Sequence, residues 1–205
     1  EGSRADLIHM IDPRASLADA HNLVWVTNRQ QGKTTTLGKF LAAMAIASPM
    51  GGLLFAMSPT SLDRAQELTK AAREYVYWMM TPEGASDDFA KISLERNNER
   101  LFVVANGYAK NMILARPKNP DSCRGDAPHA CIFDEAAFVS KDFWWKFAFP
   151  LFQVGERACT CATTPPPITG FFQAFIEQIK KRNAVGDYFF RLINHSLTCL
   201  PCLEA

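Results

Sequence analysis

No apolar run in this 205-residue chain approaches the ~18 residues that span a bilayer; the longest are LVWV and GGLLFAM. The opening residues, EGSRADLIHM, lack the apolar core of a secretory signal. An excess of one charge is also missing. The 22 basic and 21 acidic residues leave a net +1, which excludes nucleic-acid coating by bulk basicity. Six cysteines (Cys123, Cys131, Cys159, Cys161, Cys199 and Cys202) are too few for a disulfide scaffold at this length. Two of the stretches that hold them, ACIF and ACTCA, are apolar, where a reduced thiol behaves as a small hydrophobe. Internal repeats, low-complexity tracts and Gly/Ser linkers are absent as well. These absences point to a soluble chain with no membrane partner, in a reducing intracellular compartment. They also point to a single domain over 1–205, with its core at about 23–182 and a C-terminal extension at 187–205.

Apolar residues make up 48% of the chain, enough for a full core. Short apolar runs alternate with longer helical stretches, which predicts an α/β fold with a mostly parallel sheet and helices on both faces. Strands are predicted at Leu23–Thr27, Gly52–Met57, Phe89–Glu95, Leu101–Ala105, Met112–Ala115, His129–Phe133, Ala158–Thr163 and Tyr188–Ile193. A helix follows at Lys33–Ala47. Ala65, Leu68, Ala72, Val76 and Met79 mark one face of another, behind a capping-box-like Thr60 and Asp63. Phe171, Phe172, Phe175, Ile176 and Ile179 mark a third, ending in Lys180-Lys181-Arg182. Arg96-Asn97-Asn98 reads as a hairpin turn.

Two segments carry chemistry. In VWVTNRQQGKTTT a strand ends at Thr27, and Gly32-Lys33-Thr34 opens a helix. Glycine lets backbone N–H groups approach a phosphate, lysine reaches the β/γ-phosphates, and the threonine hydroxyl can ligate Mg²⁺. The pattern departs from G-x-x-x-x-G-K-[ST], because Thr27 stands where the first glycine belongs. In ACIFDEAAFV a second strand ends in Asp134 and Glu135. An aspartate there suits Mg²⁺, and a neighbouring glutamate suits general-base work on an attacking water.

Together these residues resemble the ATPase domain of the large terminase subunit, the DNA-packaging motor of tailed phages and herpes-like viruses. NRQQGKTT resembles the family's deviant Walker A, which often lacks the first glycine, and CIFDEAAFV resembles its Walker B with catalytic glutamate. NPDSCRGDAPHA resembles the segment upstream with its Arg-Gly pair, and CATTPPP resembles the coupling motif. The resemblance runs from about Leu23 to Ile179 and implies a RecA-like P-loop NTPase that uses ATP and Mg²⁺. It implies that Arg29, Gln30, Gln31, Gly32, Lys33, Thr34 and Thr35 form the nucleotide loop, with Arg29 sensing the γ-phosphate in cis. Thr34 and Asp134 would serve Mg²⁺, and Glu135 would activate water. Arg124 would reach a neighbouring subunit's site, and Thr163 and Thr164 would couple hydrolysis to movement. The implied partners are double-stranded DNA, a portal protein, a small terminase subunit and further copies in a homo-oligomeric ring, all within an infected host cell.

Full-length terminases of this type add a nuclease that needs a carboxylate cluster for two metals. After Pro165 only Glu177, Asp187 and Glu204 are acidic, so nuclease activity is not expected here. Cys199-x-x-Cys202 is half of a zinc pattern, for which only Cys159-x-Cys161 could supply the other half. His9, His21, His129 and His195 show no ligand spacing. Between Phe89 and Gly125, seven basic residues (Lys91, Arg96, Arg100, Lys110, Arg116, Lys118, Arg124) face three acids (Glu95, Glu99, Asp121). The segment is either a DNA-backbone surface or a charged hairpin face. Two alternatives stand beside the terminase reading: the first RecA-like half of a superfamily 2 helicase or translocase, and a non-hydrolysing nucleotide-binding module.

Overall fold

The computed structural model describes residues 22–28, 32–48, 51–59, 61–81, 92–98, 100–117, 123, 126–153, 157–165, 170–187 and 190–195. In chain order, β1 (Asn22–Thr27) leads into α1 (Lys33–Ala47), and β2 (Gly52–Ser58) into α2 (Leu62–Met79). Then come β3 (Ser93–Asn97), β4 (Leu101–Ala105), β5 (Lys110–Pro117) and β6 (Ala130–Phe133). A 3-10 turn (Ala136–Phe138) precedes α3 (Lys141–Phe143), which runs through a π-helical stretch (Trp144–Ala148) into α4 (Phe149–Gln153). The chain continues with β7 (Ala158–Thr163), α5 (Phe171–Ala184) and β8 (Phe190–His195).

The strands form one eight-stranded sheet in the order β3-β4-β5-β2-β6-β7-β1-β8. All pairs from β5 to β8 are parallel, and only β3-β4 and β4-β5 are antiparallel. The central strands bury both faces, which is why they read as continuous apolar runs. On one face Trp25, Leu54, Ala56, Ile132 and Ala162 pack against α1 and α2. On the other, Val24, Phe55, Phe133, Cys159 and Cys161 meet α5 and the aromatic segment around Trp144. The expected layering, with helices on both faces, is what the chain adopts.

Two close approaches fix α1. A Cβ on Gly38 would lie 2.5 Å from the Ala71 Cβ, so glycine lets α1 pack directly on α2. At its C-terminus, the carbonyls left without helical partners are taken by side chains. Asn106 Nδ2 donates to the carbonyls of Ile46 and Ser48, both at 2.8 Å, and Asn111 Nδ2 donates to those of Ala45 (2.8 Å) and Ser48 (3.1 Å).

Several local expectations are corrected. The N-cap of α2 is Ser61, whose hydroxyl accepts from Arg64 N at 3.2 Å, and Thr60 lies outside the described residues. β3 continues through Asn97, and the reversal falls at 98–100. There Asn98 Oδ1 accepts from Arg100 N (3.0 Å) and Leu101 N (2.7 Å), so an Asx-type turn replaces the one placed at 96–98. β5 extends to Lys110–Pro117, β6 starts at Ala130, and β8 (Phe190–His195) runs two residues past the expected end, Tyr188 lying outside the described residues.

The segment Lys141–Gln153 went unpredicted. Ser140 caps it by accepting from Phe143 N at 3.3 Å. Pro150 has no N–H to extend an i→i−4 ladder, and the π-helical stretch ends two residues before it. Trp144 is fully buried and meets Phe133 at 5.2 Å and Phe172 at 5.7 Å between ring centroids.

Candidate nucleotide-binding site

Three adjacent parallel strands, β6, β7 and β1, bring their C-terminal ends to one side of the sheet. Ligands of open α/β sheets bind outside these ends. β1 delivers Gly32, the N-cap of α1, at φ 68° and ψ 24°. No neighbouring atom would meet a Cβ there, so it is the left-handed backbone that calls for glycine. The first turn of α1 holds no acid, and its N-cap makes no side-chain hydrogen bond. Such a helix start offers N–H groups and a positive dipole end to an anion.

Lys33 is nearly buried. Its Nζ lies 3.3 Å from Glu135 Oε1 and donates to the Asn28 carbonyl at 3.5 Å. Thr34 Oγ1 donates to Asp134 Oδ2 at 2.7 Å. Asp134 N bonds to the Met57 carbonyl at 3.0 Å, tying the acid to β2, and Asp134 Oδ1 accepts from Glu135 N at 3.0 Å. Burial pushes the Asp134 carboxyl above its ordinary range; the Thr34 hydrogen bond opposes the rise, and the Glu135 charge adds to it.

Glu135 has φ 52° and is the one non-glycine residue with positive φ among the described residues. Its Oε2 accepts from Thr164 Oγ1 (3.1 Å) and Thr164 N (3.3 Å). Thr163 is buried one residue behind; its Oγ1 donates to the Thr164 carbonyl at 2.9 Å and accepts from Ala137 N at 3.3 Å. A cavity of about 450 Å³ opens over these groups, lined by Gly32, Lys33, Thr34, Thr35, Glu135, Phe138 and Thr164.

The sequence-predicted Gly32, Lys33, Thr34, Thr35, Asp134, Glu135, Thr163 and Thr164 thus converge. Arg29, Gln30, Gln31 and Arg124 lie outside the described residues, as do His9, His21, Cys199 and Cys202. Phe138 was missed. It stands within DEAAF, where an aromatic after two alanines looks like ordinary apolar sequence.

Two other candidates change character. Lys110 pairs with Glu95 at 2.8 Å, and Arg116 pairs with Asp126 while stacking 5.5 Å from the Phe55 ring. Two of the seven basic residues are therefore neutralised within the fold. Cys159 and Cys161 are buried in β7 with Sγ atoms 3.4 Å apart, and burial raises the Cys131 and Cys159 thiols well above their ordinary range. Among the described residues no group of three His, Cys, Asp or Glu side chains is placed to hold a metal. No described helix is long and apolar enough to cross a membrane.

The family described as "Terminase large subunit, T4likevirus-type, N-terminal" matches residues 25–185. The chain belongs to this family. Solved terminases share its RecA-like fold. The large terminase of the thermophilic bacteriophage D6E in complex with ADP superposes at a TM-score of 0.71 and 10% identity, over 99% of this chain and 46% of that one. The Thermus phage P74-26 large terminase ATPase domain gives 0.63 and 21%, over 76% and 64%. The bacteriophage HK97 large terminase gives 0.69 and 12%, over 98% and 40%. At these identities the likeness concerns the fold, and this terminase chain spans less than half the length of the D6E and HK97 proteins. No curated protein matches by sequence.

Proposed function

We propose that this chain hydrolyses ATP as the motor domain of a viral DNA-packaging terminase, driving double-stranded DNA into a procapsid. The observation that carries the reading is the position of Glu135, held between Lys33 at the start of α1 and Thr164 just after β7, beside the Thr34–Asp134 contact. The ADP bound by the D6E terminase supports a nucleotide in this fold. Family membership favours this reading over a helicase half or a non-hydrolysing module.

The N–H groups of Gly32–Thr35 receive the phosphates, and Lys33 turns from Glu135 to the β/γ-phosphates, stronger anions for the same ammonium. Thr34 and Asp134 offer a hydroxyl and a carboxylate oxygen, hard donors that fit Mg²⁺. When bound there, Mg²⁺ would neutralise charge on the phosphate oxygens. Glu135, freed from Lys33 and still steadied by Thr164, takes a proton from the water that attacks the γ-phosphorus while the bridging oxygen–γ-phosphorus bond breaks and ADP leaves. Arg29 senses the γ-phosphate in cis. Arg124 completes the site of a neighbouring copy, and Thr163 and Thr164 pass the state of Glu135 into β7. In the infected host cell the motor works as a ring with portal and small terminase subunit. The test is ATP turnover by wild type and Glu135→Gln: equal rates would overturn the reading.

A further inference from the structure

We infer that Phe138 is a positioning residue that screens Glu135 from bulk water and directs it to a single attacking water; the inference rests on the hydrolytic reading above. Phe138 is 53% exposed, yet it lines the same cavity as Lys33, Thr34, Glu135 and Thr164. It is an apolar group in a wall of ammonium, carboxylate and hydroxyl groups. Its location is fixed. Phe138 N donates to the Glu135 carbonyl at 3.0 Å, closing one 3-10 turn on the glutamate. Ala136 and Val139 on either side are buried, and Ala137 N is tied to Thr163 Oγ1, so the turn that carries the ring is anchored to β7.

Lys33 and Thr164 occupy both carboxylate oxygens of Glu135, whose side chain is still 29% exposed. Once a triphosphate takes Lys33, Glu135 Oε1 is free to accept from water. A phenyl ring neither donates nor accepts, so it removes competing water partners from its part of the wall. It makes no contribution to the phosphate-binding N–H groups of α1.

Phe138→Ala should lower kcat about 10-fold, a fraction of what a general base contributes, and leave the ADP Kd from calorimetry within about two-fold of wild type. Phe138→Leu should restore most of the rate. In a Glu135→Gln background, single-turnover hydrolysis of radiolabelled ATP should fall no further on adding Phe138→Ala, because the ring acts through the glutamate. Phe138 is half-exposed, so thermal melting should show the truncated protein folded. An unchanged kcat, or the same loss in the Glu135→Gln background, would overturn the inference. So would ADP affinity weakened about 10-fold, which would place the ring against the nucleoside. Wild-type turnover by Glu135→Gln alone would instead sink the hydrolytic reading, and the screening role with it.

Discussion

Thr34 Oγ1 and Asp134 Oδ2 meet at 2.7 Å although one hundred residues of chain separate them. The contact joins the start of α1 to the end of β6 across β7. It also sequesters a carboxylate whose charged form is disfavoured by burial, which raises its pKa.

Asp134→Asn should therefore stabilise the nucleotide-free protein by about 1 kcal/mol, or ~3 °C in Tm for a chain of this size. A carboxyl whose folded pKa is raised costs stability above that pKa, and the cost fades as pH falls through it. The gain should be present at neutral pH and shrink as the pH falls into the acid range in scanning calorimetry. The same variant should lose the extra melting protection that Mg²⁺ gives with ADP.

Lys33→Ala and Glu135→Gln should separate binding from chemistry. Removing the ammonium 3.3 Å from Glu135 also removes the cation for the phosphates, so ATP affinity should fall by at least about 10-fold. The amide at 135 should leave affinity nearly unchanged and lower turnover about 10²- to 10⁴-fold. Calorimetric titration with a non-hydrolysable analogue, run beside phosphate release, reads both. Equal loss of binding in the two variants would make Glu135 structural.

Arg124 should act only between subunits. The isolated domain should be a monomer with slow turnover, untouched by Arg124→Ala. The DNA- or portal-stimulated rate should drop by as much as ~10³-fold. Mixing Arg124→Ala subunits with Lys33→Ala subunits should regain stimulated turnover at the shared interfaces. A mixture that assembles and stays inactive would assign Arg124 to its own site.

Gly38→Ala should destabilise the fold, against ordinary helix propensity. Alanine contributes about 1 kcal/mol over glycine in a helix, but its methyl would lie 2.5 Å from the Ala71 Cβ. Forcing α1 and α2 apart costs about 1–3 kcal/mol. A urea midpoint lowered with unchanged slope would report it, and a raised midpoint would contradict the packing.

Much of this architecture was legible because chemistry and periodicity coincide. The central strands are buried on both faces, so they stand out as apolar runs, and Gly32-Lys33-Thr34 marks the start of α1 at the residue where the helix begins. Lys141–Gln153 was hidden because six aromatic residues are scattered over its thirteen positions, leaving neither a two- nor a 3.6-residue period, and Pro150 argued against a helix. Ser61 displaced Thr60 as cap because neighbouring hydroxyls carry the same signal, and only backbone geometry separates them. Phe138 could be recognised only once the turn after Glu135 placed its ring on the cavity wall.

The asparagine grip on α1 has a mechanical side. The helix is an unbroken rod of 15 residues, about 22 Å long, with the anion cradle at one tip. Its opposite tip is fastened by Asn106 and Asn111, which bracket a hairpin bend where Tyr108 is 85% exposed. Asn106 Oδ1 accepts from Tyr108 N at 3.0 Å and Ala109 N at 2.9 Å, so one side chain holds both the bend and the helix end. Displacing the bend would therefore pull on the carbonyls of Ile46 and Ser48, at the far end of the helix that begins with Lys33.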